Sequence, residues 1–380
     1  MTRTYQRLVY MIFGTFLISS AANADIGTPM MLAGTFHLLI GNLLLGIGEG
    51  LLITWLFKVK KRKAIGIMIL ANYVSAFVGY LAISLLFLNE GSSLHLLPTI
   101  TIYNAISMHL ILLAISFLLT IILEWPFCLL VLKVSKYNGT HIFKKALYAS
   151  IIVQVASYGV LVPWFYVISA KSLYAKAHIV HGSSFAKNKS ALIYYFSPSD
   201  GDIYQIHPDG SGRRKVLYLN ISDWKGSLFV RKYDKSNIEE LWITAYPKYG
   251  NNTLLCDDLR KCRLKVIRTT EPSYLGPDYK DSSSWEPSDL RSESQRDWTV
   301  EIWEVKGLTT QNKKTKVAYN FAFETPLTIG WFLGYATILP GDQVIYQIGN
   351  QIVLLDLNTR KLGLITMGQN PVVTLSSPKE

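Results

Sequence analysis

The chain has 380 residues, half of them hydrophobic, and a formal charge of +12. It is too long for one ordinary domain and too apolar to be wholly water-soluble. Up to residue 170 there are 11 basic and four acidic residues, and beyond it 27 and 22, so the excess is +7 and +5. The first excess sits mainly in two short segments, "KVKKRK" and "KVSKYNGTHIFKK", which excludes a nucleic-acid groove and fits cytoplasmic loops of a membrane protein.

Residues 1–24 open with Arg3 and Arg7, continue through the apolar "LVYMIFGTFLI" and end in the small-residue stretch "SSAANA" before Asp25. That order predicts a signal peptide or, if it is retained, an anchor helix. Four apolar stretches follow in a bundle over 25–170, at about 31–57, 64–88, 105–132 and 146–170. Each is long enough to cross a hydrocarbon core of about 30 Å. The loop "NEGSSLHLLPT" lacks Lys and Arg, whereas the loops before and after it are basic. By the positive-inside rule this predicts insertion in the cytoplasmic membrane with the C-terminal part on the periplasmic or extracellular side.

Each stretch contributes one strongly polar side chain to one level. Glu49 lies nine residues before Lys58, Asn72 eight after Ala64, Glu124 nine before Lys133 and Gln154 nine after Lys145. At about 1.5 Å per residue, all four fall roughly 12–14 Å from the basic end, near mid-membrane. Hydrocarbon tolerates carboxylates only when they are neutralised, paired or wet, so a bundle with Glu49 and Glu124 turned inward toward Asn72 and Gln154 is expected. Two carboxyls that close in low dielectric do not both ionise. The layer reads as polar glue holding the helices in register, as a proton or cation path, or as a site for a small polar ligand. His37 and His109 form a looser outer layer, as interfacial residues or as a solvent-accessible shell. Gly46 and Gly50 make a GxxxG spacing that lets helices approach closely.

Residues 171–182 read as a juxtamembrane linker. Its His178 and His181 have a spacing that could touch a metal, but two ligands do not make a site. Residues 183–380 read as an all-β extracytoplasmic domain. Within it, Cys256 and Cys262 bracket "DDLRK" between strand-like runs and suit a hairpin disulfide. The stretch "EPSYLGPDYKDSSSWEPSDLRSESQRDW" reads as a long exposed loop, which either binds a partner through Tyr274, Tyr279 or Trp285 or is simply flexible.

At the start of this domain "IYYFSPSDGDIYQIHPDGSGRRKVLYL" gives three strand-like runs with turns at "SDG" and "PDGSG", the pattern of an antiparallel meander. Near the end "VIYQIGNQIVLLDLNTRKLGLIT" repeats it more weakly. The first copy resembles the repeat of WD-like β-propellers of the Tol-system periplasmic type, over about 30 residues. The resemblance implies radial four-stranded blades and a protein-binding or scaffolding role without catalysis. About 190 residues suffice for about four blades, with a sandwich or incomplete propeller as the alternative.

The sequence contains no GxxxxGK, HExxH, GxSxG or dinucleotide glycine fingerprint, and no cofactor is predicted. The expectation is a multidomain membrane protein, a four-helix transmembrane bundle plus a propeller-like outer domain. Its expected partners are the lipid bilayer and an envelope protein or ligand. The alternative is a proton- or cation-coupled transporter using Glu49 and Glu124.

Overall fold

The computed structural model describes residues 37–87, 101–137, 140–168, 176–217, 225–232, 239–246, 252–256, 287–292, 294, 296–303, 307–321 and 333–375. The expected leader over 1–24 lies outside these residues. The chain divides into two compact units, the first ending at Ala170 and the second drawn from residues 171–324 and 330–380.

In the first unit a π-helical turn, His37–Gly41, leads into α1 (Asn42–Phe57), followed by α2 (Lys61–Phe87), α3 (Ala105–Val134) and α4 (Ile142–Ile168). Among the described residues three segments, Leu39–Phe57, Ala105–Val134 and Ile142–Pro163, are long and apolar enough to cross a membrane. Leu-, Ile- and Val-rich helices of this length satisfy most of their backbone hydrogen bonds internally, as lipid requires, with Pro126 in α3 and Pro163 in α4 each removing one donor. Helix α2 is 27 residues long, a rise of about 40 Å.

The turn between α1 and α2 is tight. Lys58 takes a left-handed backbone (φ +52°), and only Lys58–Lys60 remain outside the helices. Lys61, Arg62 and Lys63, expected in the loop, form the first turn of α2. Glycine explains how the two helices fit. A Cβ on Gly46 would stand 2.5 Å from the Ile69 Cα, and one on Gly50 2.5 Å from the Ile65 Cα. Only glycine permits that backbone approach. Lys63 Nζ reaches the Val134 carbonyl at 3.5 Å, so the start of α2 and the end of α3 share one end of the bundle, and with them both basic segments.

Among the described residues the second unit is made of strands joined by turns. They are β1 (His178–Val180), β2 (Ala191–Phe196), β3 (Ile203–Ile206), β4 (Arg214–Leu217), β5 (Lys225–Lys232), β6 (Glu239–Tyr246), β7 (Asn252–Cys256), β8 (Ser288–Asp289), β9 (Trp298–Trp303), β10 (Gly307–Asn312), β11 (Ala318–Phe321), β12 (Leu333–Leu339), β13 (Gln343–Ile348), β14 (Gln351–Asp356), β15 (Lys361–Met367) and β16 (Gln369–Leu375). They form four sheets: β16-β2-β3-β4, β5-β6-β7, β9-β10-β11, and β12 to β15 with β1 and β8 at its edges.

The meander expected from "IYYFSPSDGDIYQIHPDGSGRRKVLYL" is β2-β3-β4, antiparallel throughout. Its turns use Gly201 (φ +67°) and Gly210 (φ +86°), positions where a side chain would be strained. The second copy is β13-β14-β15, also antiparallel. The last strand, β16, pairs with β2 from Gln369 opposite Phe196 to Leu375 opposite Ala191. Strand β16 also packs against β5 and β12, and β12 against β9. One core joins Ile193 and Tyr195 of β2 to Ile345, Ile352 and Leu354 near the C-terminus.

Two stretches read as unstructured take part in this unit. His178–Val180, within the expected linker, pairs in parallel with Lys361–Gly363. Ser288 and Asp289, within the expected loop, pair in parallel with Thr337 and Ile338. Both are short additions to sheet edges, where pairing depends on an available backbone rather than on a local pattern. Tyr274, Tyr279 and Trp285 lie outside the described residues.

Candidate functional site

The polar side chains of the four helices meet in one ring. Glu49 and Glu124 are 3 % and 1 % exposed, Asn72 and Gln154 6 % and 2 %. Asn72 Nδ2 donates to Glu49 Oε2 and to the Met68 carbonyl at 3.1 Å. Ser157 Oγ donates to Glu49 Oε1 at 2.5 Å. Gln154 Nε2 donates to Glu124 Oε2 at 2.5 Å. The Ser75 hydroxyl lies 3.0 Å from Glu124 Oε1 and 3.1 Å from the Asn72 carbonyl.

Each carboxyl group therefore contacts both α2 and α4. Asn72 and Ser75, three residues apart, share one face of α2. Gln154 and Ser157 have the same spacing on α4 and serve the same two acids. The expected residues Glu49, Asn72, Glu124 and Gln154 are all members; Ser75 and Ser157 are additions. Their signal in the sequence is a second polar residue at i+3 from each amide, easily passed over because serine is common in membrane helices. Ser150 Oγ adds a tie from α4 to the Ile121 carbonyl at 3.0 Å.

All partners of the two acids are neutral. Among the described residues no Lys, Arg or His side chain bonds to either glutamate. On the side of the ring nearer the basic loops the bundle is closed by Ile53, Met68, Cys128, Leu132 and Val153, which have no exposed surface. On the other side, one turn along α3 and α4, Thr120 Oγ1 and the Tyr158 hydroxyl lie 3.5 Å apart. The ring can tie helices together and can hold a proton.

His37 begins the π-helical turn and His109 lies on α3, but their side chains lie outside what is described. Cys256, buried, ends β7, while Cys262 lies outside the described residues. His178 Nε2 sits 3.4 Å from Arg360 Nη2. Among the described residues no group of three or more His, Cys, Asp or Glu side chains is placed to hold a metal ion.

In the second unit the polar groups cluster differently. The Arg291 guanidinium, 5 % exposed at the residue level, donates to Asp289 at 2.9 and 3.0 Å, to Asp342 at 3.2 Å and to the Trp298 carbonyl at 2.9 Å. Lys215 bridges Asp200 at 2.8 Å and Asp202 at 2.7 Å. Lys187 Nζ meets Asp356 at 2.8 Å. Burial resists ionisation of Asp289, but Arg291 outweighs it and holds the carboxyl below its ordinary value. Desolvation of Asp200 is likewise overcome by Lys215 and the Tyr204 hydroxyl, which hold that carboxyl well below the usual range. These are cross-links between turns and strands, with every acid matched to a cation.

Compared with known protein families and with curated proteins, the chain matches none.

Proposed function

We propose that this is an integral protein of the cytoplasmic membrane whose four-helix bundle anchors a propeller-like β domain on the periplasmic or extracellular face. The domain binds an envelope protein or ligand and does no chemistry on it. What carries this reading is the pairing of β16 with β2, by which the chain's last described strand seals onto the first strand of the domain body. Sealing one sheet with strands from both ends is how a radial array removes its open edges. Strands β16, β5, β9 and β12 also belong to four different sheets, and three contacts among them follow the order around such an array. The basic loops at one end of the bundle support placement of the β domain at the other side of the membrane. A hairpin disulfide between Cys256 and Cys262 belongs to the same reading.

The bundle supports an anchoring role because its polar ring is closed, with every carboxylate oxygen contacted by a neighbouring helix. The neutral surroundings of Glu49 and Glu124 favour a second reading, proton-coupled transport. The two are separated by one pair of measurements on full-length protein and on a chain lacking residues 183–380. Crosslinking in whole cells is expected to capture a discrete envelope partner with the full chain and to lose it on truncation. Proton flux into liposomes at the level of protein-free vesicles accompanies that result. Flux that Glu124→Gln abolishes would instead establish the transporter.

A further inference from the structure

Counting hydrogens in the ring locates a proton. Two carboxylates facing only neutral donors away from water would leave two uncompensated charges, an arrangement that proteins avoid by neutralising one of them. The titratable groups packed around them are the Cys128 thiol on α3 and the Tyr158 phenol on α4, and α2 contributes only Asn72 and Ser75. None is a cation. A proton must take that place.

Which glutamate holds it follows from the donors. An amide nitrogen has two hydrogens, and Asn72 directs one to the Met68 carbonyl and one to Glu49. The bond to the backbone carbonyl fixes which way the amide points, so its nitrogen faces Glu49 as a donor. Ser157 gives its only hydrogen to the other Glu49 oxygen. Glu49 thus accepts from two donors and suits the carboxylate form. Ser75 is different, because its hydroxyl has one hydrogen and two acceptors in reach, the Asn72 carbonyl and Glu124 Oε1. Both contacts are satisfied when Glu124 donates to Ser75 Oγ and Ser75 donates to the Asn72 carbonyl.

We infer that the ring is a proton-binding site in which Glu124 carries the proton, Ser75 is its acceptor and Glu49 is the paired carboxylate. The inference rests on the membrane placement of the bundle argued above, but not on what the β domain binds. The proton exchanges through the Thr120–Tyr158 side, since the opposite side is closed by wholly buried apolar residues.

The test is infrared difference spectroscopy of the full-length protein in lipid nanodiscs, with Tm measured alongside. At neutral pH the carbonyl stretch of a protonated carboxyl is expected in the unaltered protein, lost in Glu124→Gln and displaced in Ser75→Ala. Glu124→Gln is also expected to keep its Tm within a degree or two, because the amide retains a donor toward Ser75 and an acceptor toward Gln154 and adds only one further hydrogen. Glu49→Gln, which sets an amide nitrogen against donors, is expected to lower Tm by several degrees. The inference is overturned if the unaltered protein shows no such band, if the band survives Glu124→Gln, or if the two Gln variants exchange their effects on Tm. Should Glu49→Gln fail to fold, the spectra of the unaltered protein and Glu124→Gln decide alone. Failure of the full-length chain to capture a partner, with the spectra as expected, would count against the binding role of the β domain and leave the proton site standing.

Discussion

The helical and β units both bury carboxylates, and they neutralise them by opposite means. In the β unit Asp289 and Asp342 share Arg291, Asp200 and Asp202 share Lys215, and Asp356 takes Lys187. In the helical unit Glu49 and Glu124 meet two amides and two hydroxyls. Lys187 and Lys215 reach the β unit's surface and keep part of their charge in water, and the buried Arg291 is answered by two carboxylates and a backbone carbonyl. Halfway along a membrane helix no such exit exists, and a cation there would be as costly as the acid it answers. Neutral donors and a proton are the cheaper solution.

The first way to break the contrast is to remove what holds the ring's geometry. Gly50→Leu would place a side chain where even a Cβ meets the Ile65 backbone at 2.5 Å. Backbone must then move, at about 3 kcal/mol or more, and Glu49, one residue away, moves with it. Loss of the monodisperse peak on size exclusion in detergent is expected. Gly48→Leu, at a glycine with open space around its Cβ position, is the control and should elute normally. A normal Gly50→Leu would mean that α1 and α2 do not pack as described.

The second acts on the other unit. Arg291→Met leaves Asp289 and Asp342 without their shared cation, a loss of about 3–5 kcal/mol when one partner of a buried pair is removed. Urea unfolding followed by tryptophan fluorescence should show a lower midpoint. The triple change of Arg291, Asp289 and Asp342 to apolar residues should recover part of it. No recovery would mean that Arg291 acts through the Trp298 carbonyl rather than through charge.

How much of this was legible in the sequence differs between the units for a physical reason. A membrane helix is long and local, so Glu49, Asn72, Glu124 and Gln154 could be placed at one depth by counting from the nearest lysines. Ser75 and Ser157 were missed because depth alone does not give the face of a helix. In the β unit "SDG" and "PDGSG" announced β2-β3-β4, since turn chemistry is local. The parallel additions β1 and β8 and the tie from Arg291 to Asp342 were not announced, because each depends on a partner about 50 residues away or more.

A smaller effect is expected at the β1 addition. Gly363 faces Gly182 so closely that a Cβ would lie 1.9 Å from its carbonyl oxygen. Gly363→Ala should detach β1 from β15 at about 1–3 kcal/mol. Limited proteolysis should then cut within 176–182 sooner, with the rest of the β unit as resistant as before. Equal cutting would show that the parallel pairing contributes nothing to holding that segment.

The smallest effect distinguishes the two kinds of neutralisation by pH. Asp356 is buried while Lys187 is 47 % exposed, so Lys187→Met should cost about 1 kcal/mol or less at neutral pH. Burial raises the Asp356 carboxyl, but Lys187 and the Thr359 backbone N–H outweigh it and hold it below the ordinary value. A carboxyl lowered in the folded state contributes stability that is complete above its unfolded value of about 4 and is lost as pH falls through the folded one. The difference in Tm between the unaltered protein and Lys187→Met should therefore be largest near neutrality and shrink toward zero in acid. A difference that stays constant on acidification would mean that Lys187 acts through its bond to the Gly341 carbonyl and not through Asp356.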